Sequence, residues 1–473
     1  MSFNWLQVAI FFGLTGLVGL VTWLKCKDVP RDGNDSKDYF LAGGSLSWPF
    51  VAGSILLTNI SAEQIVGMNG AQNLLVAWWE FGAAIGLLVL ARFLIPLYYR
   101  YQCTTTTELL EHRFNDSGIR MMVSTLFLFG YMFILLPVVL YTGSLFMKSM
   151  FGLSMSVTTI AALFAVVGSI YAIFGGLRAI AVSDTFNGIG LLVMGVAVTV
   201  FALTAIDFDL SGIPADRLTL VGDNDSDIPW HTLLTGMVFI HIFYWGTNMV
   251  ITQRALAAKS VQEAQKGIYV AVAFKLIIPA IVVLPGIIAF KLYGDVGDVA
   301  YGKLVGDVLP PWLSGAFAAV IAGAVLSSFN SCLNSAAALY TVDIHQKLVS
   351  DSVNVKKTGQ LVALIFATVA VLLVPVYEQS KSIVEMLQKM NGLYSMPVLA
   401  AFIVALAFKS VQGLAIRIGL VFGAALYAIF TFVWSPLHYI HLMFITLVAT
   451  IVLTLILNKL LDSDKLESTE LSQ

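Results

Sequence analysis

Apolar stretches long enough to cross roughly 30 Å of hydrocarbon recur about thirteen times along this chain. That pattern leaves few solutions other than a bundle of membrane-spanning helices. Of the 473 residues 58% are hydrophobic and only 11% are charged, against about 25% charged in a soluble globular chain. A backbone facing lipid must satisfy its own hydrogen bonds, so the expected class is an all-α polytopic membrane protein. The first run begins near Trp5 with no basic segment or small-residue cleavage site before it, and reads as an uncleaved first span. Three cysteines (Cys26, Cys103, Cys332) lack metal spacing. They indicate neither a disulfide framework nor a zinc site.

Charge asymmetry sets the expected sidedness. Connections that share one face carry Lys25, Lys27, Arg31 and Lys37, then Arg100, Arg113 and Arg120, then Arg254, Lys259 and Lys266. The opposite face has few cations and holds the acidic loop containing Asp207, Asp209, Asp216, Asp223, Asp225 and Asp227. Cytoplasmic loops are the basic ones, which predicts an external N-terminus and a cytoplasmic C-terminus in a plasma (bacterial inner) membrane. The tail 462–473 is short and polar, and its composition predicts disorder.

Within this apolar background, polar residues stand out. The segment TNISAEQIVGM, Thr58 to Met68, places Asn59, Ser61, Glu63 and Gln64 in the middle of the expected span 46–69. A charge at the bilayer centre costs about 2.5–3.5 kcal/mol on insertion scales, so such groups face a cavity or a pathway. Ser54 or Thr58 alone would read as interhelical hydrogen bonding; Asn59, Glu63 and Gln64 together favour a solute site. Ser327 and Ser328 lie three and four residues after Ala324, so two hydroxyls and one carbonyl share a helix face. Such neutral, hard oxygens suit an alkali cation, whereas a lone serine pair also fits plain packing. Glu80 and Lys275 sit among apolar residues far from any loop, as a solute-binding pair, a structural ion pair or a snorkelling side chain. With Gln388 and Asn391 they suit a polyhydroxylated neutral ligand, whose hydroxyls both donate and accept. In HIFYWGTN, His241 to Asn248, aromatics meet Gly246, as a plug over a site or as core packing with a bend.

These same residues resemble the sodium/solute symporters, specifically the sodium–glucose (sodium–galactose) cotransporter branch. The shared motifs are DYFLAG (38–43), ISAEQIVGM (60–68), GGLRA (175–179), YWGTN (244–248), QRALAAKS (253–260), EAQKG (263–267) and SSFNSCLNS (327–335). The similarity runs from about residue 38 to 410 and implies a LeuT-type inverted repeat, a core of 5+5 helices whose first helix is broken near the midplane. It further implies a sodium site from the backbone of Leu57 and Ile60 with Ala324, Ser327 and Ser328. Asp184 resembles a residue on the sodium exit route, and as an acid just inside a span it equally suits a structural pair with Arg178.

For the sugar, the matching positions are Asn59, Gln64, Glu80, Lys275 and Gln388, with Tyr244 as inner gate beside Trp245 and Met68. His241 stands where sugar-binding relatives carry asparagine. Ala83 replaces a serine, Leu135 an asparagine, and Val384 an outer-gate phenylalanine. A changed set of polar contacts can reject a relative's ligand by large factors, so the expected sugar differs from plain galactose in stereochemistry or substitution.

The expected units are a first span and cytoplasmic loop (1–37) and the core (38–410, with repeats at about 46–206 and 229–408). Two further spans (411–461) and the tail (462–473) complete them. The expected function is sodium-coupled symport of a hexose or related polyol, with sodium, the solute and membrane lipid as partners and no nucleic acid. Nearest to it stands a sodium symporter for a carboxylate, sialic acid or an amino acid; further off is a passive facilitator. No nucleophile–base or metal-ligand arrangement points to an enzyme.

Overall fold

The structure is a computed structural model that describes residues 5–26, 40–349, 354–380, 382–408 and 410–470. The basic connection at 27–39 and the Arg178 side chain lie outside the described residues. Helix α1 spans Trp5–Cys26. The next expected span is two helices, α2 (Trp48–Asn59) and α3 (Ala62–Gly70), joined through Ile60 (φ −78°, ψ 72°) and extended Ser61. Serine and asparagine side chains compete with the helical backbone for its own hydrogen bonds, and the Ser61 hydroxyl does donate to the Asn59 carbonyl, at 3.4 Å. Helices α4 (Trp78–Val89), α5 (Glu108–Phe114), α6 (Ser117–Gly130) and α7 (Leu136–Phe151) follow. The expected spans 154–174 and 178–206 lie on one run of helical backbone, α8 (Val157–Ala205).

A second broken span mirrors the first. Helices α9 (Gly236–Gly246) and α10 (Met249–Leu256) meet at Thr247 and Asn248, the latter extended at φ −69°, ψ 120°. The Asn248 side chain accepts from the Val250 N–H at 3.1 Å, capping α10 in place of the missing helical bonds. Helix α11 is Val261–Lys275 and α12 is Leu284–Tyr293; with the short turn starting at Pro279 they form one span bent by 49°. After α13 (Ala300–Val308) come the long α14 (Pro311–Ala338), α15 (Val355–Tyr377), α16 (Ile383–Ala407), α17 (Gly413–Phe432) and α18 (Tyr439–Glu470).

Among the described residues nine helices are long and apolar enough to cross a membrane, ten if the bent pair counts as one. The expected thirteen is not reached on this measure, because each half of a broken span falls short. The C-terminal residues also depart from expectation. Helix α18 continues to Glu470, since extending a formed helix avoids the cost of nucleation.

Small residues let the central helices approach closely. A Cβ on Gly323 of α14 would sit 2.5 Å from Asn187 of α8, and one on Gly143 of α7 would meet Val325 of α14 at 2.4 Å. In this way α14 is held against the helices around the first break, which is where its serines are needed. At one end of the bundle Arg120 pairs with Glu108 (2.7 Å), Glu111 (2.6 Å) and Asp343 (2.6 Å). Thr105, Thr107 and Ser124 donate to the same Asp343 carboxylate.

At the connection between α12 and α13, Asp298 ties three elements together. Its Oδ2 accepts from the Ile383 N–H that starts α16, at 3.2 Å. A Cβ on Gly70, at the end of α3, would lie 2.5 Å from its Oδ1. Burial pushes this carboxyl up to about 7, against the smaller opposing effect of the Ile383 hydrogen bond. The folded value lies above the unfolded one, so the folded protein binds the extra proton between the ordinary 3.8 and about 7. That contribution to stability is present at acid pH and lost as pH rises through the folded value. Thermal unfolding in detergent should therefore show stability falling as pH rises from the ordinary 3.8 to about 7 and levelling off above it, and Asp298→Asn should flatten that slope. An unaltered slope in the variant would assign the pH dependence to other groups.

Candidate functional site

The two helix breaks face one cavity. Its walls include Asn59, Glu63, Gln64 and Met68 from the first broken span and His241, Tyr244, Trp245 and Asn248 from the second. Helix α16 closes it with Val384, Gln388, Asn391, Tyr394 and Ser395, and Trp79 and Leu135 complete the sides. Seven expected site residues thus converge: Asn59, Gln64, Met68, His241, Tyr244, Trp245 and Gln388.

Glu80 and Lys275 do not join that lining. Both are fully buried, and Lys275 Nζ lies 2.7 Å from Glu80 Oε2. The ammonium also donates to Asn59 Oδ1 and sits 4.9 Å from the centre of the Trp245 ring. The pair therefore stands behind the wall and orients two residues that do line it. His241 is held in place by the absence of a side chain opposite, since a Cβ on Gly82 would fall 2.2 Å from its ring. Its ring lies 5.9 Å from that of Trp79.

Next to the cavity, the first break comes against the serine pair. The Ile60 N–H bonds the Leu56 carbonyl and the Ser61 N–H bonds that of Asn59. The helical ladder therefore skips the carbonyls of Thr58 and Ile60. The Ser328 hydroxyl donates to the Thr58 carbonyl at 3.5 Å, and the buried Ser327 hydroxyl faces the Asp184 carboxylate. Ala324 is fully buried on the same helix. The carbonyls at the break and the two serine hydroxyls are neutral, hard oxygens of the kind that suits sodium, with the Asp184 carboxylate beside them. Among the described residues no group of three or more His, Cys, Asp or Glu could hold a metal ion.

Asp184 lies beside this cluster. Its Oδ2 accepts from the Ser54 hydroxyl at 2.8 Å, and it lies within the electrostatic reach of Arg254. Arg254, counted from sequence among the cytoplasmic loop cations, is instead fully buried on α10. It donates from Nη1 to the Val250 carbonyl (2.6 Å) and from Nε to the Thr58 hydroxyl (3.2 Å). A buried guanidinium persists where carbonyls and an opposite charge replace its water, and Asp184 supplies that charge.

Asn248, Trp79, Tyr394 and Ser395 are cavity residues that the sequence did not single out for the site. Only Asn248 carried a local signal, a polar residue following Gly246-Thr247 inside an apolar run. The Tyr131 hydroxyl donates to its Oδ1 at 2.7 Å. The other three reach the cavity through long-range packing.

Comparison with known proteins agrees with this geometry. The model of the Sodium:solute symporter family matches residues 39–415. The uncharacterized symporter YidK of Escherichia coli (strain K12) is 34% identical, over 96% of this chain and 84% of the relative. The sodium/glucose cotransporter of Vibrio parahaemolyticus is 32% identical over 92% and 87%. The sodium/myo-inositol cotransporter 2 of Oryctolagus cuniculus is 29% identical over 89% and 68%. In fold, a substrate-bound, outward-open Na+-coupled sialic acid symporter superposes with a TM-score of 0.82 at 19% identity, covering 97% of this chain and 98% of that one. The LeuT-fold protein MhsT gives a TM-score of 0.52 at 16% identity over 86% and 97%. With a matching family model over most of its length, relatives above 30% identity and a fold with two broken spans around one cavity, this multi-pass membrane chain belongs to the sodium:solute symporter family, whose members are transporters rather than enzymes and couple solute movement to Na+.

Proposed function

We propose that this protein imports a neutral sugar or related polyol together with sodium, by alternating access around the cavity between its two broken helices. One observation carries the reading: amide side chains of Asn59, Gln64, Gln388 and Asn391 share a cavity with Tyr244 and Trp245, immediately beside the serine–carbonyl cluster. Amides both donate and accept, as the hydroxyls of a polyol do. Two of the relatives carry sugar or inositol cotransport in their names. Likeness to the sialic acid symporter at 19% identity speaks for fold alone.

In this mechanism sodium is held by the carbonyls of Leu57, Ile60 and Ala324 and the hydroxyls of Ser327 and Ser328. It orders the break between α2 and α3, which presents Asn59 and Gln64 to the solute. Gln388 and His241 contact the solute from the opposite walls, while Glu80 and Lys275 hold Asn59 in position. Met68, Tyr244 and Trp245 gate the cavity, and Asp184 marks the route by which sodium leaves. One inward charge is worth roughly 2.3 kcal/mol per 100 mV, and a tenfold sodium gradient adds about 1.4 kcal/mol. Together they support accumulation of roughly a few hundredfold at one-to-one coupling.

The proposed setting is a bacterial inner membrane with the N-terminus outside and the C-terminus in the cytoplasm. The transport core is 38–410, with the spans of 411–461 outside it. Uptake of labelled hexoses and inositols into proteoliposomes tests the reading. Accumulation above equilibrium is expected with an inward sodium gradient and not with a potassium one. Uptake that equilibrates without regard to sodium would instead describe a passive facilitator.

A further inference from the structure

Glu63 is the one formally charged side chain among the described residues that line the cavity. It occupies the first turn of α3, where an acid is favoured by the helix dipole, but that position accounts for only part of the carboxyl. Ser61 and the backbone interact with the group, while Oε2 is buried and has no partner. Three other lining residues are in the same condition, the Gln64 amide at Oε1, the His241 ring at Nε2 and the Ser395 hydroxyl. His241 hydrogen-bonds the Trp78 backbone, and a neutral ring that donates through Nδ1 keeps a lone pair on Nε2. The atoms on Glu63, Gln64 and His241 are therefore acceptors, while the Ser395 hydroxyl can accept or donate.

Among the described residues that line the cavity, no cation offsets them. The Lys275 ammonium is the nearest candidate partner for an anionic solute, and its hydrogens are directed at Glu80, at Asn59 and toward the Trp245 ring. A carboxylate entering this cavity would meet Glu63 with no lining cation to pair with. A hydroxyl or ammonium would find acceptors waiting.

We infer that Glu63 sets the charge class of the solute: the cavity takes polyols with free hydroxyls, including amine-bearing ones, through donation to Glu63, Gln64 and His241, and Glu63 excludes carboxylates. The assignment rests on the polyol-symport reading above and deepens it.

The test uses the full-length protein in detergent and in proteoliposomes with sodium present. Sodium-dependent thermal stabilisation and competition are measured with neutral hexoses and inositols, with glucosamine and with glucuronate. At least one neutral or amine-bearing compound should bind, with the matched uronate weaker by about a hundredfold or more, since like charges juxtaposed in a dry site are strongly disfavoured. Glu63→Gln keeps the shape and removes the charge, and should narrow that gap by about tenfold. Glu63→Asp keeps the charge, and should retain the rejection of uronate while weakening polyol binding. An acid serving only to start α3 would leave the ratio between uronate and neutral sugar unmoved in Glu63→Gln, and that result overturns the assignment. So does equal binding of glucuronate and glucose by the unaltered protein, a comparison that needs no variant. Sodium-dependent binding of amino acids with no response to any polyol would overturn the sugar reading as well, whereas polyol binding without charge discrimination overturns the role of Glu63 alone.

Discussion

Lys275→Met should abolish uptake and lower the stability of the folded protein by about 3–5 kcal/mol. The size follows from what is left behind. Glu80 and Lys275 are both fully buried, and the Glu80 Oε1 atom already lacks a partner. Removing the ammonium strands the carboxylate without its remaining bond, the situation in which breaking a buried pair costs most. It also frees Asn59, which accepts from the same ammonium and lines the cavity. A second variant separates the two consequences. Glu80→Gln combined with Lys275→Met removes the stranded charge and should regain most of the lost stability, yet uptake should stay at least about a hundredfold down because Asn59 remains unpositioned. Thermal unfolding and proteoliposome uptake, measured on the parent and both variants, check both parts. A single variant as stable and active as the parent would show that the pair carries neither role.

Ser328→Ala should raise the sodium concentration for half-maximal uptake by roughly tenfold or more with the solute-contacting residues untouched. The Ser328 hydroxyl faces the Thr58 carbonyl across the first break, so the change removes an oxygen from the cluster that meets the ladder-free carbonyls. Ser328→Thr retains the hydroxyl and should restore most of the sodium dependence. Binding of the solute at saturating sodium should change far less than the sodium requirement, a split that separates loss of an ion ligand from general damage. Unchanged sodium dependence in Ser328→Ala would move the ion site elsewhere.

Much of the site could be read before any fold was known, because a polar residue inside a membrane span must be justified by a partner or a cavity. Asn59, Gln64, His241, Tyr244, Trp245 and Gln388 were all marked in that way or by resemblance, and all reach one cavity. The break at Ile60–Ser61 was anticipated by the crowding of small polar residues, which disfavours a regular helix. The matching break at Thr247–Asn248 was visible only as a suspected bend. Glu80 and Lys275 illustrate the limit. Two opposite charges in separate apolar spans fit a solute-binding pair and a structural pair equally well, and only their 2.7 Å contact behind the cavity wall separates the two. Arg254 was misplaced for a related reason, since positive residues near span ends are ordinarily cytoplasmic and its compensating acid, Asp184, is distant in sequence.

What the sequence determined by itself was solvent and family: the apolar runs demand a lipid environment, and the polar exceptions within them demand a pathway. Local signals of that kind travel with the residues that carry them. What tertiary structure alone decided was the placing of the polar residues: which of them line the cavity, which lie against the first helix break and which pair with one another. That depends on contacts between helices far apart in the chain, and a buried charge acquires its role only from the partner that packing brings to it. Glu63 is the clearest case. Its sequence position marks it as a helix-starting acid, and only the cavity around its unpartnered oxygen connects it to the choice of solute.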